Sequence, residues 1–272
     1  MASRSDVRTR VITGLGLNCE AETSAAFTAA GARVDRVHLG DLLAGKRSLD
    51  EFHILAFIGG FAFGDHLGAG TAFANRLRSR MWPPLERFVD AGKLVIGICN
   101  GFQTLVKLGL LPHLPDQPLA RRVALTHNDR GVFYDGWVTL GIDPDCPSVF
   151  LRGIDTLEVP VRHGEGKLVC ADDAVREALV AGHLVAARYL DPATGQPTAE
   201  YPKNPNGSEL EAAALSDPSG RILGMMPHPE AYLYPYNHPQ WTRRRLEGPL
   251  PEHGAGLAVF ENAVEFAAAE LA

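Results

Sequence analysis

The sequence predicts an α/β fold with a central, mostly parallel sheet and helices on both faces. In the first half, short apolar segments alternate with longer segments of helical composition, a pattern typical of strand–helix–strand units. The segment from Leu94 to Ile98 is apolar throughout, as expected for a central strand buried on both faces. Ligands of such sheets bind beyond the carboxyl ends of the strands, so residues that follow a strand are candidates for a functional site.

Glycines close the predicted helices of the first half, as is common at helix C-termini. The second half predicts shorter strands separated by Pro and Gly, which we interpret as antiparallel additions to the sheet, and a closing helix. We find no internal repeat and predict one domain over residues 1–272. The predicted strands are 8–13, 33–38, 53–58, 94–98, 123–126, 137–140, 157–162, 184–189, 212–215 and 222–226, and the predicted helices are 20–30, 71–91, 101–108 and 256–271.

Composition excludes several classes of protein. The chain has 32 acidic and 26 basic residues, for a formal net charge of −6, and lacks the basic stripe of a nucleic-acid binder. Its four cysteines have no paired spacing, which argues against a disulfide scaffold or a zinc ribbon and favours a reducing, cytoplasmic compartment. No segment approaches the roughly 20 apolar residues of a membrane span. We therefore expect no nucleic-acid, membrane or metal site.

The sharpest local signal surrounds Cys99. An apolar strand leads into Gly-x-Cys-x-Gly and a helix follows, which is the arrangement of a nucleophile elbow. Gly97 and Gly101 remove side chains that would clash in the tight turn. The helix N-terminus favours a thiolate, and the N–H of Asn100 is free to stabilise an oxyanion. The alternative is a buried structural cysteine, but the flanking strand and helix favour a nucleophile.

A general base for this cysteine is available in the segment Met226-Pro-His-Pro-Glu230, which follows the last predicted strand. Residues two apart in extended backbone point to the same side, so Glu230 can orient the imidazole of His228 toward the thiol. The alternative is a proline turn with two exposed polar residues, and the local sequence favours neither. Cys19 also follows a strand, but no glycine elbow surrounds it, and we interpret it as structural.

The segments 97–103 and 225–230 together resemble the class I, triad-type glutamine amidotransferases. Three further segments narrow the resemblance: Gly59-Gly-Phe-Ala-Phe-Gly-Asp65, His163-Gly-Glu-Gly-Lys167 and Asn206-Gly-Ser208. With the early Gly14-Leu-Gly-Leu-Asn-Cys-Glu20, they are similar to the longer, separately encoded form of the glutaminase subunit of phosphoribosylformylglycinamidine synthase. The resemblance spans nearly the whole chain and implies the flavodoxin-like sandwich of that family.

This resemblance implies a role for individual positions. Cys99 would attack the side-chain amide of glutamine, His228 would pass the thiol proton to the departing ammonia, and Glu230 would orient His228. The N–H groups of Gly60 and Asn100 would form the oxyanion hole. The other residues expected around the substrate are Phe61, Gln103, His163, Gly164 and Glu165.

The resemblance also implies partners. The ammonia would pass to a large synthase subunit that uses ATP and magnesium to convert formylglycinamide ribonucleotide into formylglycinamidine ribonucleotide in de novo purine biosynthesis. A small accessory subunit would complete the complex, and no cofactor is expected on the glutaminase subunit itself.

Three other interpretations remain. A cysteine hydrolase of the α/β-hydrolase type would place its acid before the histidine in the chain, whereas Glu230 follows His228. A non-catalytic regulatory protein on the same fold would be expected to lose a triad residue, and all three are present. A glutaminase that serves another ammonia acceptor is opposed only by the purine-type motifs, because a fold alone does not fix an acceptor.

Overall fold

Across residues 2–272, which the computed structural model describes, the strands form one ten-stranded sheet and one two-stranded sheet. The strands are β1 (Arg8–Thr13), β2 (Arg33–His38), β3 (Ile54–Phe57), β4 (Leu94–Ile98), β5 (Val123–His127), β6 (Tyr134–Ile142), β7 (Thr156–His163), β8 (Glu165–Cys170), β9 (Ala187–Asp191), β10 (Gln196–Pro197), β11 (Ala212–Ser216) and β12 (Ile222–Met225).

The α-helices lie on both faces of the larger sheet. They are α1 (Glu20–Ala29), α2 (Leu39–Leu43), α3 (Thr71–Arg80), α4 (Trp82–Asp90), α5 (Asn100–Leu108), α6 (Asp173–Ala181), α7 (Trp241–Glu247) and α8 (Leu257–Glu270). Helix α1 connects β1 to β2, which is the edge strand of the sheet. The later parallel connections lead toward the opposite edge. Right-handed crossovers therefore place α1 opposite α3 and α5, and α8 packs beside α1.

The larger sheet has the order β2-β1-β3-β4-β12-β11-β9-β6-β7, with β10 paired to β9. Neighbours from β2 to β12 are parallel, and neighbours from β12 to β7 are antiparallel. The antiparallel additions predicted for the second half are therefore present. Strands from both halves of the chain pair in this sheet.

The prediction that residues 222–226 form an antiparallel addition needs one correction. Strand β12 pairs in parallel with β4, from Ile222 beside Val95 to Met225 beside Ile98, and only its other edge is antiparallel. All its residues are buried, as are those of β4, so both strands suit the centre of the sheet. The carboxyl ends of β4 and β12 consequently lie at the same edge.

Other differences from the predicted elements are local. The predicted helix 71–91 is two helices, interrupted at Met81, and Pro83 and Pro84 lie in the first turn of α4, where a missing N–H costs little. The strand predicted at 184–189 begins only at Ala187. Helices α2, α6 and α7 and strands β8 and β10 were not predicted, because they are short or lack a clear apolar period. No helix among residues 2–272 is long and apolar enough to cross a membrane.

Helix α5 approaches the sheet closely through two glycines. A Cβ atom on Gly101 would lie inside van der Waals contact with the carbonyl group of Phe57 in β3. A Cβ atom on Gly97 would lie 2.6 Å from Cδ1 of Leu105 and 2.8 Å from the carbonyl carbon of Gly101. Only glycine at these two positions allows α5 to pack directly against β3 and β4.

We expect Gly101→Ala to lower the free energy of unfolding by about 1–3 kcal/mol, the usual cost of overpacking, as measured by urea denaturation. Gly248→Ala is the matched control, because Gly248 has an extended φ of 170° and a Cβ atom there meets nothing within 4 Å. Equal unfolding midpoints for the two variants would contradict the close approach of α5 to β3.

Candidate active site

Cys99 has a strained backbone conformation between β4 and α5. Its φ of 52° and ψ of −107° lie in a region that residues other than glycine rarely adopt. The conformation places Cys99 at the N-cap of α5, where the helix dipole favours an anionic sulfur. Cys99 is 6% exposed, and its Sγ lies 3.6 Å from the carbonyl oxygen of Arg162. The turn has the geometry of a nucleophile elbow.

His228 approaches Cys99 because β12 and β4 are parallel neighbours. The segment after β12 crosses the strand ends, and the N–H of His228 donates to the carbonyl oxygen of Pro160 at 2.8 Å. The Nδ1 atom of His228 lies 2.6 Å from Oε1 of Glu230, and the two residues are 3% and 2% exposed. The alternative of a turn with two exposed polar residues is therefore wrong.

The charge on Glu230 determines the protonation state of His228. Burial opposes a charged imidazole, but the nearby Glu230 and Cys99 outweigh burial and raise the pKa of His228 well above its ordinary value. Because Nδ1 is bonded to the carboxylate, Nε2 is left for other partners, and it bonds to no residue in the range 2–272. A protonated imidazole beside a cysteine favours the thiolate, which is the reactive form.

Gly60 lies on the loop after β3, which pairs with the loop after β1. The N–H of Phe61 donates to the carbonyl oxygen of Gly16 at 2.7 Å, and Gly60 lies opposite Leu17 in an isolated bridge. Gly60 has a φ of 139°, and a Cβ atom there would lie 2.6 Å from Cα of Leu17. Only glycine fits this position, which accounts for the second glycine of the Gly-Gly-Phe motif.

Two backbone N–H groups near Cys99 are available to an oxyanion. Asn100 is the first residue of α5, so its N–H has no partner inside the helix. The N–H of Gly60 donates to no carbonyl group of the described chain. The N–H of Phe61, in contrast, is already bonded to Gly16, so Phe61 contributes its side chain rather than its N–H.

A cavity of about 170 Å³ borders Cys99. This volume is small, since sites for drug-sized ligands have roughly 300–1,000 Å³, and it suits a small metabolite. The cavity brings together every predicted substrate residue except Asn100. Its lining residues are Gly60, Phe61, Asp65, Cys99, Gln103, Phe133, Arg162, His163, Gly164 and Glu165.

Hydrogen bonds of side chains fix the shape of this cavity. Gln103 donates through Nε2 to the backbone oxygen of Glu165, and its Oε1 accepts from Nδ2 of Asn100 at 3.1 Å. Asn100 Nδ2 also donates to Asp65 at 3.0 Å, and the Glu165 carboxylate accepts from the N–H of Ala69 at 3.1 Å. The network connects α5, the loop after β3 and the β7–β8 turn. Burial raises the pKa of Asp65, and the charge of Glu165 adds to this effect.

His163 is held as a neutral side chain. Its Nδ1 lies 3.0 Å from Oδ1 of Asn128, whose Nδ2 donates to the carbonyl oxygens of Val132 and His163 itself. Because the Asn128 oxygen only accepts, Nδ1 carries the proton and Nε2 is an acceptor. Burial, followed by the charge of His228, lowers the pKa of His163 to about 3. His163 therefore forms an uncharged wall of the cavity.

Several polar residues support the site through contacts that the sequence motifs did not reveal. Asn128 orients His163, and Asp65 bonds to Asn100. Asn206 donates to the carbonyl oxygen of Gly166 at 2.9 Å, so it fixes β8 just after Glu165. These residues lie in loops, and their partners are distant in the chain, so no periodic pattern marks them.

Two groups of side chains within residues 2–272 have donor atoms close enough to share a metal ion, within 4.8 Å of one another. Asp143, Asp145 and His183 form one group, which is partly exposed, and exposed acidic groups are common without an ion. The other group includes His228 and Glu230 and overlaps the candidate active site.

The chain is similar to known glutamine amidotransferases over nearly its whole length. The family model of the CobB/CobQ-like glutamine amidotransferase domain matches residues 6–267. The phosphoribosylformylglycinamidine synthase subunit PurQ of Dehalococcoides mccartyi is 42% identical, and the similarity covers 97% of this chain and 98% of the relative. The subunit of the same name from Methanococcus maripaludis strain C7 is 39% identical, with 94% and 96% of the two chains covered.

The fold is also found in a solved structure described as PurLQS from Thermotoga maritima. One chain of that structure superposes with a TM-score of 0.69 at 26% identity, and 96% of this chain and 99% of that chain are covered. The chain therefore belongs to the CobB/CobQ-like glutamine amidotransferase family and, within it, to the PurQ subunits of phosphoribosylformylglycinamidine synthase.

Proposed function

We propose that this chain hydrolyses L-glutamine to glutamate and ammonia through a triad of Cys99, His228 and Glu230, as the glutaminase subunit of a phosphoribosylformylglycinamidine synthase. The observation that carries the proposal is the geometry around His228. Its Nδ1 is bonded to Glu230 at 2.6 Å, its Nε2 has no partner in the described chain, and its ring lies beside Cys99. The match to the PurQ family supports the same chemistry.

The reaction begins when the Cys99 thiolate attacks the carbonyl carbon of the glutamine side-chain amide. The N–H groups of Gly60 and Asn100 stabilise the oxyanion that forms. His228 gives its Nε2 proton to the amide nitrogen, the C–N bond breaks, and ammonia leaves a glutamyl thioester on the sulfur. Neutral His228 then takes a proton from water, whose oxygen attacks the thioester. Glutamate leaves, and the thiolate and the imidazolium are restored.

The charges of the cavity suit an amino acid substrate. The carboxylates of Asp65 and Glu165 line the cavity and complement the α-ammonium group of glutamine. Neutral His163 adds no positive charge that would oppose this group. Gln103 contributes by holding the backbone of Glu165, because both ends of its side-chain amide are already bonded.

The rim of the cavity has the character of a docking surface. Phe61 and Phe133 are 47% and 52% exposed, with ring centroids 6.1 Å apart. Leu67 and Val132, in the same loops, are also exposed. Contiguous apolar exposure of this kind is typical of protein interfaces. We assign this rim to the large synthase subunit, which would bind ATP and magnesium and receive the ammonia, and we expect a small accessory subunit to complete the complex.

A cytoplasmic location and the absence of a catalytic cofactor are further parts of the proposal. All four cysteines are free, and a reducing compartment would keep the Cys99 nucleophile in this state. The triad supplies the nucleophile, the acid and the base, so the reaction as written requires no other group on this subunit.

Cys99→Ala is expected to abolish glutamine-dependent formation of formylglycinamidine ribonucleotide by the complex with the large subunit, and to leave ammonium-dependent formation intact. The variant removes the nucleophile but leaves the acceptor site, and initial rates with the two nitrogen donors measure the difference. Cys146→Ala is the matched control. Its half-buried thiol lies beside Ser216, which pairs with Leu223 near the start of β12, whereas the candidate site lies after the end of that strand.

Equal loss of both activities in Cys99→Ala would instead make Cys99 a structural residue. If the wild-type complex hydrolyses glutamine but forms no formylglycinamidine ribonucleotide from either donor, the acceptor is a different synthase.

Glu230→Gln is expected to lower kcat for glutamine by roughly 10²- to 10⁴-fold with little change in KM, because Glu230 orients and charges His228 but does not line the cavity. Steady-state glutaminase kinetics of the complex measure the effect. Glu22→Gln removes a carboxylate from the exposed surface of α1 and serves as the control. A large rise in KM with unchanged kcat would contradict the orienting role.

A further inference from the structure

Cys19 is a second thiol in the candidate active site, and the proposed reaction does not use it. It is the N-cap residue of α1, on the loop after β1. A Cβ atom on Gly59 would lie 2.8 Å from Cε1 of His228 and 3.0 Å from Sγ of Cys19, so the imidazole and this thiol rest against the same glycine. Sequence analysis interpreted Cys19 as structural, but its position next to His228 gives it a chemical role to test.

Three donor atoms meet at this place. The Cys19 sulfur, a ring nitrogen of His228 and a carboxylate oxygen of Glu230 lie within 4.8 Å of one another. One buried atom of the group, Oε2 of Glu230, has no hydrogen-bond partner within residues 2–272. Buried polar atoms without partners are rare in folded proteins and indicate a ligand, an ion or a catalytic role.

We propose that Cys19, His228 and Glu230 form a binding site for Zn²⁺, and that the bound ion stops glutamine hydrolysis. Sulfur, nitrogen and oxygen donors are the ligand set that Zn²⁺ takes in proteins, at distances of roughly 2.0–2.3 Å, with water or a further group as the fourth ligand. A thiolate and a carboxylate neutralise the ion, which favours its binding in a buried place.

The ion stops catalysis because it takes Nδ1 of His228, the ring nitrogen that faces Glu230. Coordination of Nδ1 replaces the hydrogen bond to Glu230 at 2.6 Å, which holds the ring in position. The inhibitory part of the inference rests on the proposed glutaminase function, whereas the binding part does not.

A second cavity lies beside Glu230. It has a volume of about 310 Å³ and is bordered by Glu230, by Leu233 and by the first turns of α1, including Glu22. The Glu22 carboxylate at this cavity favours the approach of a cation. Cys19 is the N-cap residue that immediately precedes these turns of α1.

The first experiment measures binding directly on the full chain, by competition for Zn²⁺ with a chromophoric chelator. Wild type and Cys146→Ser, the matched cysteine control, are expected to bind one ion. Cys99→Ala is expected to bind it as well, because the Cys99 sulfur lies against the Arg162 carbonyl and is not part of the donor group. Cys19→Ser is expected to bind at least 10-fold more weakly. Equal affinity of Cys19→Ser and wild type would overturn the proposal.

Absorption of the Co²⁺-substituted protein identifies the ligands. A thiolate-to-cobalt charge-transfer band is expected in wild type and Cys99→Ala and is expected to be absent in Cys19→Ser. A band that disappears in Cys99→Ala but persists in Cys19→Ser would assign the metal to the nucleophile alone and overturn the proposal.

The second experiment measures inhibition in the assembled complex with magnesium present. Zn²⁺ is expected to inhibit glutamine-dependent activity at lower concentrations than ammonium-dependent activity. Half-inhibition of the glutamine-dependent activity of Cys19→Ser is expected to require at least 10-fold more Zn²⁺ than that of wild type. The rate of each variant is compared with its own rate without Zn²⁺. Unchanged inhibition of Cys19→Ser would overturn the inhibitory role. If Zn²⁺ binding depends on Cys19 but the wild-type complex does not hydrolyse glutamine, the metal site stands and the proposed glutaminase function fails.

Discussion

The parallel pairing of β4 with β12 is the constraint on which the candidate site depends. Cys99 follows β4 and His228 follows β12, and the two strands are direct neighbours with their carboxyl ends at one edge of the sheet. If β12 were antiparallel to β4, its carboxyl end would lie at the opposite edge, away from the thiol. The antiparallel part of the sheet begins on the other side of β12. Strand pairing therefore changes from parallel to antiparallel immediately beside the triad.

Burial gives the triad its electrostatic character. A histidine buried alone loses its charge, as His163 does beside the neutral amide of Asn128. His228 is equally buried, yet the Glu230 carboxylate at 2.6 Å keeps it protonated. Two histidines in one site therefore have opposite protonation states because one has a buried anion as its partner and the other does not.

The cavity is assembled from loops of both halves of the chain, and its polar groups are connected to one another. The loop after β3 provides Gly60 and Asp65, whereas the β7–β8 turn provides Gly164 and Glu165. Asn100 and Gln103 on α5 bond to both segments. The loops after β1 and β12 bring Cys19 and His228 together against Gly59, which creates a group of metal donors beside the substrate site.

The sequence by itself determined most of the fold class and the chemistry of the site. Strands β1, β2 and β4 form at the predicted residues. Of the three, β4 is apolar throughout, which is a local signal of a buried strand. The motif around Gly97 and Gly101 indicated the elbow for a local reason as well, since a side chain at either position would clash within the turn. The proposed triad residues came from similar short motifs.

Only the tertiary structure decided how these segments meet. Short apolar strands such as β12 do not encode whether their neighbour is parallel or antiparallel, since the pairing depends on the path of the whole chain. The partners of Asn128 and Asn206 are some 35 and 40 residues away in the sequence, and such distant contacts leave no periodic pattern. The proximity of Cys19 to His228 has the same origin, because a loop after β1 and a loop after β12 become neighbours only when the sheet has formed.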